Sequence, residues 1–259
     1  MLTAPGPDMP SSSLPPLFHT DLFIPHYRPM QCGDWRVLVA GLNLAPGYWS
    51  ETALIQGMAG LLRNGACWMS MTPMELESQE IGIRLARGHV LIFGLGLGWS
   101  AVTSALRDEV TAVTVVEFDR DVLDLHRELD IFSQLPEPAQ RKIRLIEGDA
   151  YSYRPDRPVD LLMPDIWLPL ISDGRIDEVR GMQQRVQAGA IYFWGQEMEI
   201  ARHAVAAGRG LDDAGIAATI AGFDLPLIGP AFPDYAGKLT CAARRWMGAR
   251  WLPGSTAPW

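Results

Sequence analysis

Along the chain, apolar residues change their rhythm once, near Gly88. Before that point, short apolar pieces (Leu17 to Ile24, Trp35 to Leu42 and Ala66 to Met71) are broken by Pro and Gly and read as strands or irregular segments, with a helix expected from Ser50 to Leu62. Thr72-Pro73-Met74-Glu75 has the form of a helix start: Thr72 as cap, Pro73 at the first helical position and Glu75 returning a bond to the cap, with the helix running to about Arg87. From Gly88 onward, apolar runs alternate with helix-length amphipathic stretches. Strands are predicted at His89 to Phe93, Ala112 to Val116, Ile143 to Ile146, Val159 to Met163 and Ala190 to Trp194. Helices are predicted at Trp99 to Leu106, Asp119 to Leu129, Asp173 to Gln187 and Gln196 to Ala207. Two further strands are expected at Ala217 to Ala221 and Lys238 to Ala243, the last running antiparallel after a long hairpin. Strands alternating with helices imply an α/β fold with a mostly parallel sheet covered on both faces. The expected organisation is a disordered tail (1–16), an N-terminal strand-rich appendage (17–87) and a regular α/β domain (88–259).

The first strand of the regular part runs into Gly94-Leu95-Gly96-Leu97-Gly98, and the second ends in Glu117. Alternating glycines let backbone approach a ligand, a helix start offers unpaired N–H groups, and a carboxylate at the next strand end can accept from two ribose hydroxyls. Asp149 follows the third strand and Asp165 the fourth. In a parallel sheet, ligands gather beyond the carboxyl ends of the strands, so these acids converge on one candidate nucleoside site. Asp149 can accept from an exocyclic adenine amine, with the Ala150 N–H reaching a ring nitrogen. Asp165 can face the reacting centre as a base or a cation stabiliser, and Trp167 can wall a cationic group. Backbone near Gly98, Trp99 and Ser100 can hold a carboxylate or phosphate. Asp119 reads as a helix cap. Glu75, Glu77 and Glu80 suit the positive end of a helix as solvated acids, and Glu75 is also a candidate substrate-binding group.

The 259 residues carry a formal net charge of −8, which disfavours a nucleic-acid partner. Arg244, Arg245 and Arg250 read as a solvated rim. No apolar run approaches the roughly 20 residues of a membrane span. The Pro- and Ser-rich start does not resemble a signal peptide. Cys32, Cys67 and Cys241 are far apart, which predicts reduced, mostly buried thiols in a cytoplasmic protein and no zinc. The histidines show no metal spacing, so no metal site is expected. A homodimer is compatible with all of this.

On these motifs the chain, from about Arg87 to Cys241, resembles class I S-adenosylmethionine-dependent methyltransferases. Gly94 to Gly98 matches their first motif, Glu117 their ribose acid and Gly148-Asp149-Ala150 their adenine contact. The resemblance implies a three-layer, doubly wound sheet of seven strands. It also implies S-adenosylmethionine as cofactor and a small-molecule acceptor, with a cofactor set of Gly94, Leu95, Gly96, Gly98, Trp99, Glu117, Phe118, Asp149, Ala150 and Asp165. Ile92 stands where many of these enzymes carry an acid. That departure and the strand-end sequences look more like the spermidine-synthase-like branch, in which the position of Asp165 holds the base. Yet Leu97 and Ile166 replace acids that handle the aminopropyl group and the amine there. Methyl transfer is therefore the expected reaction, with Asp165 as the catalytic residue and Trp167 and Glu75 as substrate-binding residues. Aminopropyl transfer, a non-catalytic adenosyl-binding module and an NAD-dependent oxidoreductase, whose GxGxxA pattern Gly96 to Ala101 also fits, remain the alternatives.

Overall fold

A computed structural model describes residues 15–259. Most of the expected tail therefore lies outside the described residues. The chain begins with six short strands: β1 (Met30–Cys32), β2 (Trp35–Val39), β3 (Leu42–Ala45), β4 (Ala53–Gln56), β5 (Ala59–Arg63) and β6 (Ala66–Ser70). Strands β1, β2, β5 and β6 make an antiparallel sheet in the order β1-β2-β5-β6, while β3 and β4 form a separate ribbon. The helix expected over Ser50 to Leu62 does not form. Its residues become β4 and β5, which alternate inward Ala53 and Ile55 with outward Gln56 and turn at Gly57, whose φ is +71°. A period of two wins there over helix propensity.

Helix α1 (Pro73–Leu85) starts where its signature places it, with Thr72 Oγ1 accepting from the Glu75 N–H. The remainder is β7 (Gly88–Phe93), α2 (Trp99–Ala105), β8 (Val110–Glu117), α3 (Arg120–Leu129), α4 (Glu137–Gln140), β9 (Ile143–Glu147), β10 (Leu161–Pro164), α5 (Arg175–Val186), β11 (Ala190–Ile191), α6 (Gln196–Ala206), α7 (Asp213–Phe223) and α8 (Tyr235–Trp246). Strands β7 to β11 form a five-stranded sheet in the order β11-β10-β7-β8-β9, parallel throughout. Every residue of β10 is buried, as is all of β7 after Gly88, which suits strands covered on both faces.

The sheet has five strands, not seven. The segments expected as the last two strands are the helices α7 and α8. Asp212 caps α7 by accepting from the Gly215 N–H, and Ile216, Thr219 and Phe223 bury at helical spacing. In α8 the buried set is Tyr235, Leu239, Ala242 and Ala243, again a 3.6-residue period. Where a sixth strand would pair with β11 there is an isolated parallel bridge between Ile191 and Leu227. Tyr192 to Trp194, expected within β11, lie beyond it, although the Tyr192 and Trp194 N–H groups still donate to the carbonyls of Leu162 and Pro164.

Two surface expectations also change. Cys67 and Cys241 are exposed and Cys32 is half-buried, rather than packed inside. Arg245 is no solvated rim residue: it donates to the carbonyls of Gly47 and Ser50 and ties α8 to the N-terminal region.

Candidate functional site

The tips of β7 and β10 touch. A Cβ on Gly94 would collide with the backbone carbonyl of Asp165, so only glycine fits, and Gly94 also has a φ of +93°. At Gly96 the neighbour is Met69, whose Sδ lies 2.5 Å from where a Cβ would stand. Glycine is thus demanded here by the chain's own close approaches.

The loop's N–H groups are largely committed. Gly94 donates to the Val116 carbonyl at 2.9 Å and Gly98 to the Leu95 carbonyl at 2.7 Å. Leu95 donates to Glu117 Oε2 at 2.8 Å, and Leu97 to Met69 Sδ at 3.0 Å. The Gly96 carbonyl lies 2.8 Å from His126 Nε2. A carbonyl only accepts, so Nε2 carries the proton; burial pushes the imidazole down to about 4 and keeps it neutral.

Beyond these tips lies a cavity of about 450 Å³. Gly94, Gly96, Glu117, Phe118, Asp149, Ala150, Asp165 and Trp167 all line it. These eight residues, named from the sequence, thus share one cavity. Leu95, Gly98 and Trp99, named in the same set, do not line it. Trp99 turns away, buried, with its indole N–H on the Phe23 carbonyl at 2.8 Å. Its bulk therefore does not stand where a pyrophosphate would approach.

Glu117 Oε1 accepts from the Asp119 N–H and Oε2 from the Leu95 N–H, both at 2.8 Å. Each oxygen keeps a lone pair, so a diol can still be bound. Burial raises this carboxyl's pKa, and the backbone donors oppose the rise. Asp149 Oδ1 accepts from the Tyr151 N–H at 2.9 Å, leaving acceptor capacity on Oδ2. Asp165 Oδ2 accepts from Gln79 Nε2 at 2.8 Å, and burial lifts its pKa to about 7 despite the opposing charge of Arg175.

Trp167 does meet a cation, but one supplied by the chain: the buried Arg175 guanidinium sits 3.8 Å from its ring centre. Arg175 also donates to the Pro169 and Trp194 carbonyls and to Ser172 Oγ. Trp167 Nε1 and the Tyr151 hydroxyl both donate to Glu178 Oε2, at 2.6 and 2.7 Å. This lattice fixes the cavity wall that follows β10.

The three acids of α1 do not behave as solvated helix-start charges. Glu77 is buried and accepts from the Trp49 and Ser50 N–H groups, while Glu80 pairs with Arg84. Glu75, the candidate substrate-binding acid, does not line the cavity; burial, then the nearby Asp165 charge, raises its carboxyl well above the usual range.

Residues missed from sequence come from the N-terminal sheet: Trp35, Leu61, Arg63, Trp68 and Met69 close one side of the cavity. Trp35 Nε1 donates to Asp119 Oδ2 at 2.9 Å, and Arg63 pairs with the same oxygen at 3.3 Å. Asp119 Oδ1 caps α3 by accepting from the Asp121 N–H, as its position predicts. The cross-strand pairs Trp35 with Arg63 and Leu61 with Met69 carry these side chains to one face, a register no single-strand pattern reveals.

Fold and cavity together define an α/β protein with a cavity at the carboxyl ends of parallel strands, where such sheets gather ligands. No family model and no curated protein matches the chain. Among solved structures, it is similar to the glycopeptide N-methyltransferase MtfA with S-adenosyl-L-methionine (18% identity, TM-score 0.33, 44% of this chain and 50% of that one). It is also similar to a DhpI-SAM-HEP complex (17%, TM-score 0.34, 45% and 51%). A third is the methyltransferase domain of bacterial CtHen1 (17%, TM-score 0.35, 46% and 65%). The chain thus spans about half the length of the first two structures. Among the described residues no helix is long and apolar enough to cross a membrane, and no cluster of His, Cys, Asp or Glu is arranged to hold a metal.

Proposed function

We propose that the protein is an S-adenosylmethionine-dependent methyltransferase acting on a small molecule in the cytoplasm. The observation that carries this reading is that Glu117, Asp149 and Asp165, from three different strand tips, line one cavity with Gly94 and Gly96. Its volume lies within the roughly 300–1,000 Å³ of small-ligand sites. The donor set fits the cofactor: a diol acceptor at Glu117, an amine acceptor at Asp149 and an acidic wall for a cation. Against those acids stands Arg63, whose charge is already engaged by Asp119 at 3.3 Å.

When bound, the cofactor supplies a methyl group made electrophilic by a sulfonium. The chain's residues then have to align a nucleophile and exclude water. Trp35 and Trp68 from the N-terminal sheet and Trp167 from the β10 loop enclose the cavity. Asp165 takes the acceptor's proton on its Oδ1, while Gln79 holds Oδ2. A carboxyl with a pKa near 7 suits that exchange. Ile166 on the cavity wall and the buried Leu97 off it stand at the two positions where aminopropyltransferases carry acids for the aminopropyl group and the amine, which favours methyl transfer over aminopropyl transfer.

Thermal unfolding with S-adenosylhomocysteine, S-adenosylmethionine and NAD tests the reading. Ligand at about 100 times Kd stabilises by about 2.7 kcal/mol, so the two adenosyl compounds should raise Tm clearly. Stabilisation by NAD alone would refute it.

A further inference from the structure

The glycine loop is held by a buried imidazole that does not line the cavity. His126 on α3 donates from Nε2 to the Gly96 carbonyl at 2.8 Å. The ring also lies against Gly98, where a Cβ would stand 2.8 Å from its Cε1, and it packs on Phe132 with ring centres 5.7 Å apart. Its Nδ1 is buried and meets no partner among the described residues. A buried acceptor left unpaired destabilises a fold, and an apolar ring of similar shape would avoid that penalty. What His126 adds over such a ring is one N–H, and that N–H goes to the loop.

The bond fixes the Gly96–Leu97 peptide. Gly96 lines the cavity with a φ of +52°, and its own N–H meets no acceptor among the described residues. In a trans peptide the carbonyl and the N–H leave from opposite edges. Here the carbonyl edge faces His126, and the Leu97 N–H edge faces Met69, itself a cavity residue. Reversing this peptide would swing the Gly96 oxygen toward Met69, and glycine at 96 offers little backbone resistance to that. Backbone N–H groups receive an anion only while neighbouring carbonyls point elsewhere. Glu117, Asp149 and Asp165 already line the cavity, so one more oxygen there would repel an anionic group.

We propose that His126 is a positioning residue: it keeps the Gly96 carbonyl behind the loop, so that the cavity edge at Gly96 receives the carboxylate-bearing tail of an adenosyl ligand. This rests on the S-adenosylmethionine reading of the cavity and gives a role to a histidine that touches no ligand. The adenosine, held at the strand tips by Glu117 and Asp149, does not depend on the bond.

The test is a calorimetric titration of S-adenosylhomocysteine and 5′-methylthioadenosine into the wild-type protein, His126→Phe and His126→Gln. The two ligands share the adenosine and thioether, and only the first has the amino-acid tail. His126→Phe fills the space without a donor. It should weaken S-adenosylhomocysteine by about tenfold, the scale of a hydrogen bond to a charged group, and leave methylthioadenosine nearly unchanged. His126→Gln returns an N–H and should restore most of the loss. Methylthioadenosine binding doubles as a check that each variant is folded, and His126→Leu, with the same expected change, replaces Phe if that variant does not fold. An unchanged ratio of the two affinities, equal weakening of both ligands, or no recovery in His126→Gln overturns the proposal while leaving the nucleoside reading intact. Failure of the wild-type protein to bind either ligand overturns both.

Discussion

Gln79 Nε2 donates to Asp165 Oδ2 at 2.8 Å, joining the helix that leaves the N-terminal sheet to the tip of β10, next to the central strand β7. The bond leaves one oxygen of a buried carboxyl for chemistry and fixes its direction. With its pKa lifted to about 7 by burial, Asp165 is protonated below neutrality and becomes a base above it. Turnover should therefore rise between pH 6 and pH 8 and then level. Asp165→Asn should abolish that rise and lower kcat by roughly 100-fold, within the usual range for a general base, with little change in cofactor Kd. A variant that loses cofactor affinity and keeps kcat would make Asp165 a cofactor ligand.

A second titrating group lies away from the cavity. Glu197 is fully buried and accepts from the hydroxyls of Tyr48, Tyr192 and Tyr235, and burial raises its pKa to about 7. An acid whose folded pKa exceeds its unfolded value penalises the fold as pH rises, beginning near the ordinary glutamate value of 4.5 and reaching its full extent above about 7. Urea midpoints should thus fall from pH 5 to pH 7.5, with Glu199, raised to about 7 by burial as well, adding to the slope. Glu197→Gln should flatten that dependence. An equal slope in the variant would place the titration elsewhere.

Arg175 is buried, and it holds the β10 loop through the carbonyls of Pro169 and Trp194 while stacking on Trp167. Arg175→Met should cost about 3–5 kcal/mol, as expected when one member of a buried charged network is removed. It should also release Trp167, seen as a changed tryptophan emission in the folded protein. Wild-type stability in chemical denaturation would show that the network carries no weight.

The parts of this protein legible in its sequence are those set by local rules. Thr72-Pro73 and Asp119 mark helix starts by side-chain capping, and the run Val90 to Phe93 is buried on both sides and so is apolar throughout. The acids at strand ends are located by the same alternation of strand and helix. What escaped depends on distant neighbours. Ala217 to Ala221 is short, small and apolar enough to fit either period, and only the stripe Ile216, Thr219, Phe223 against neighbouring helices decides for α7. Trp35, Arg63 and Met69 reach the cavity through antiparallel register in the N-terminal sheet, which no window of sequence contains. The indole of Trp99 packs under Phe23, 76 residues away in sequence, so adjacency to the glycine loop misplaced it.

The central claim is that Glu117 and its neighbours grip an adenosine. Calorimetric titration of S-adenosylhomocysteine into the wild-type protein and Glu117→Ala tests it most directly. The expected result is saturable one-to-one binding that weakens by roughly 10- to 100-fold in the variant, the range for losing hydrogen bonds to a charged group. Equal affinity in the two proteins, or no binding to the wild type, would contradict it.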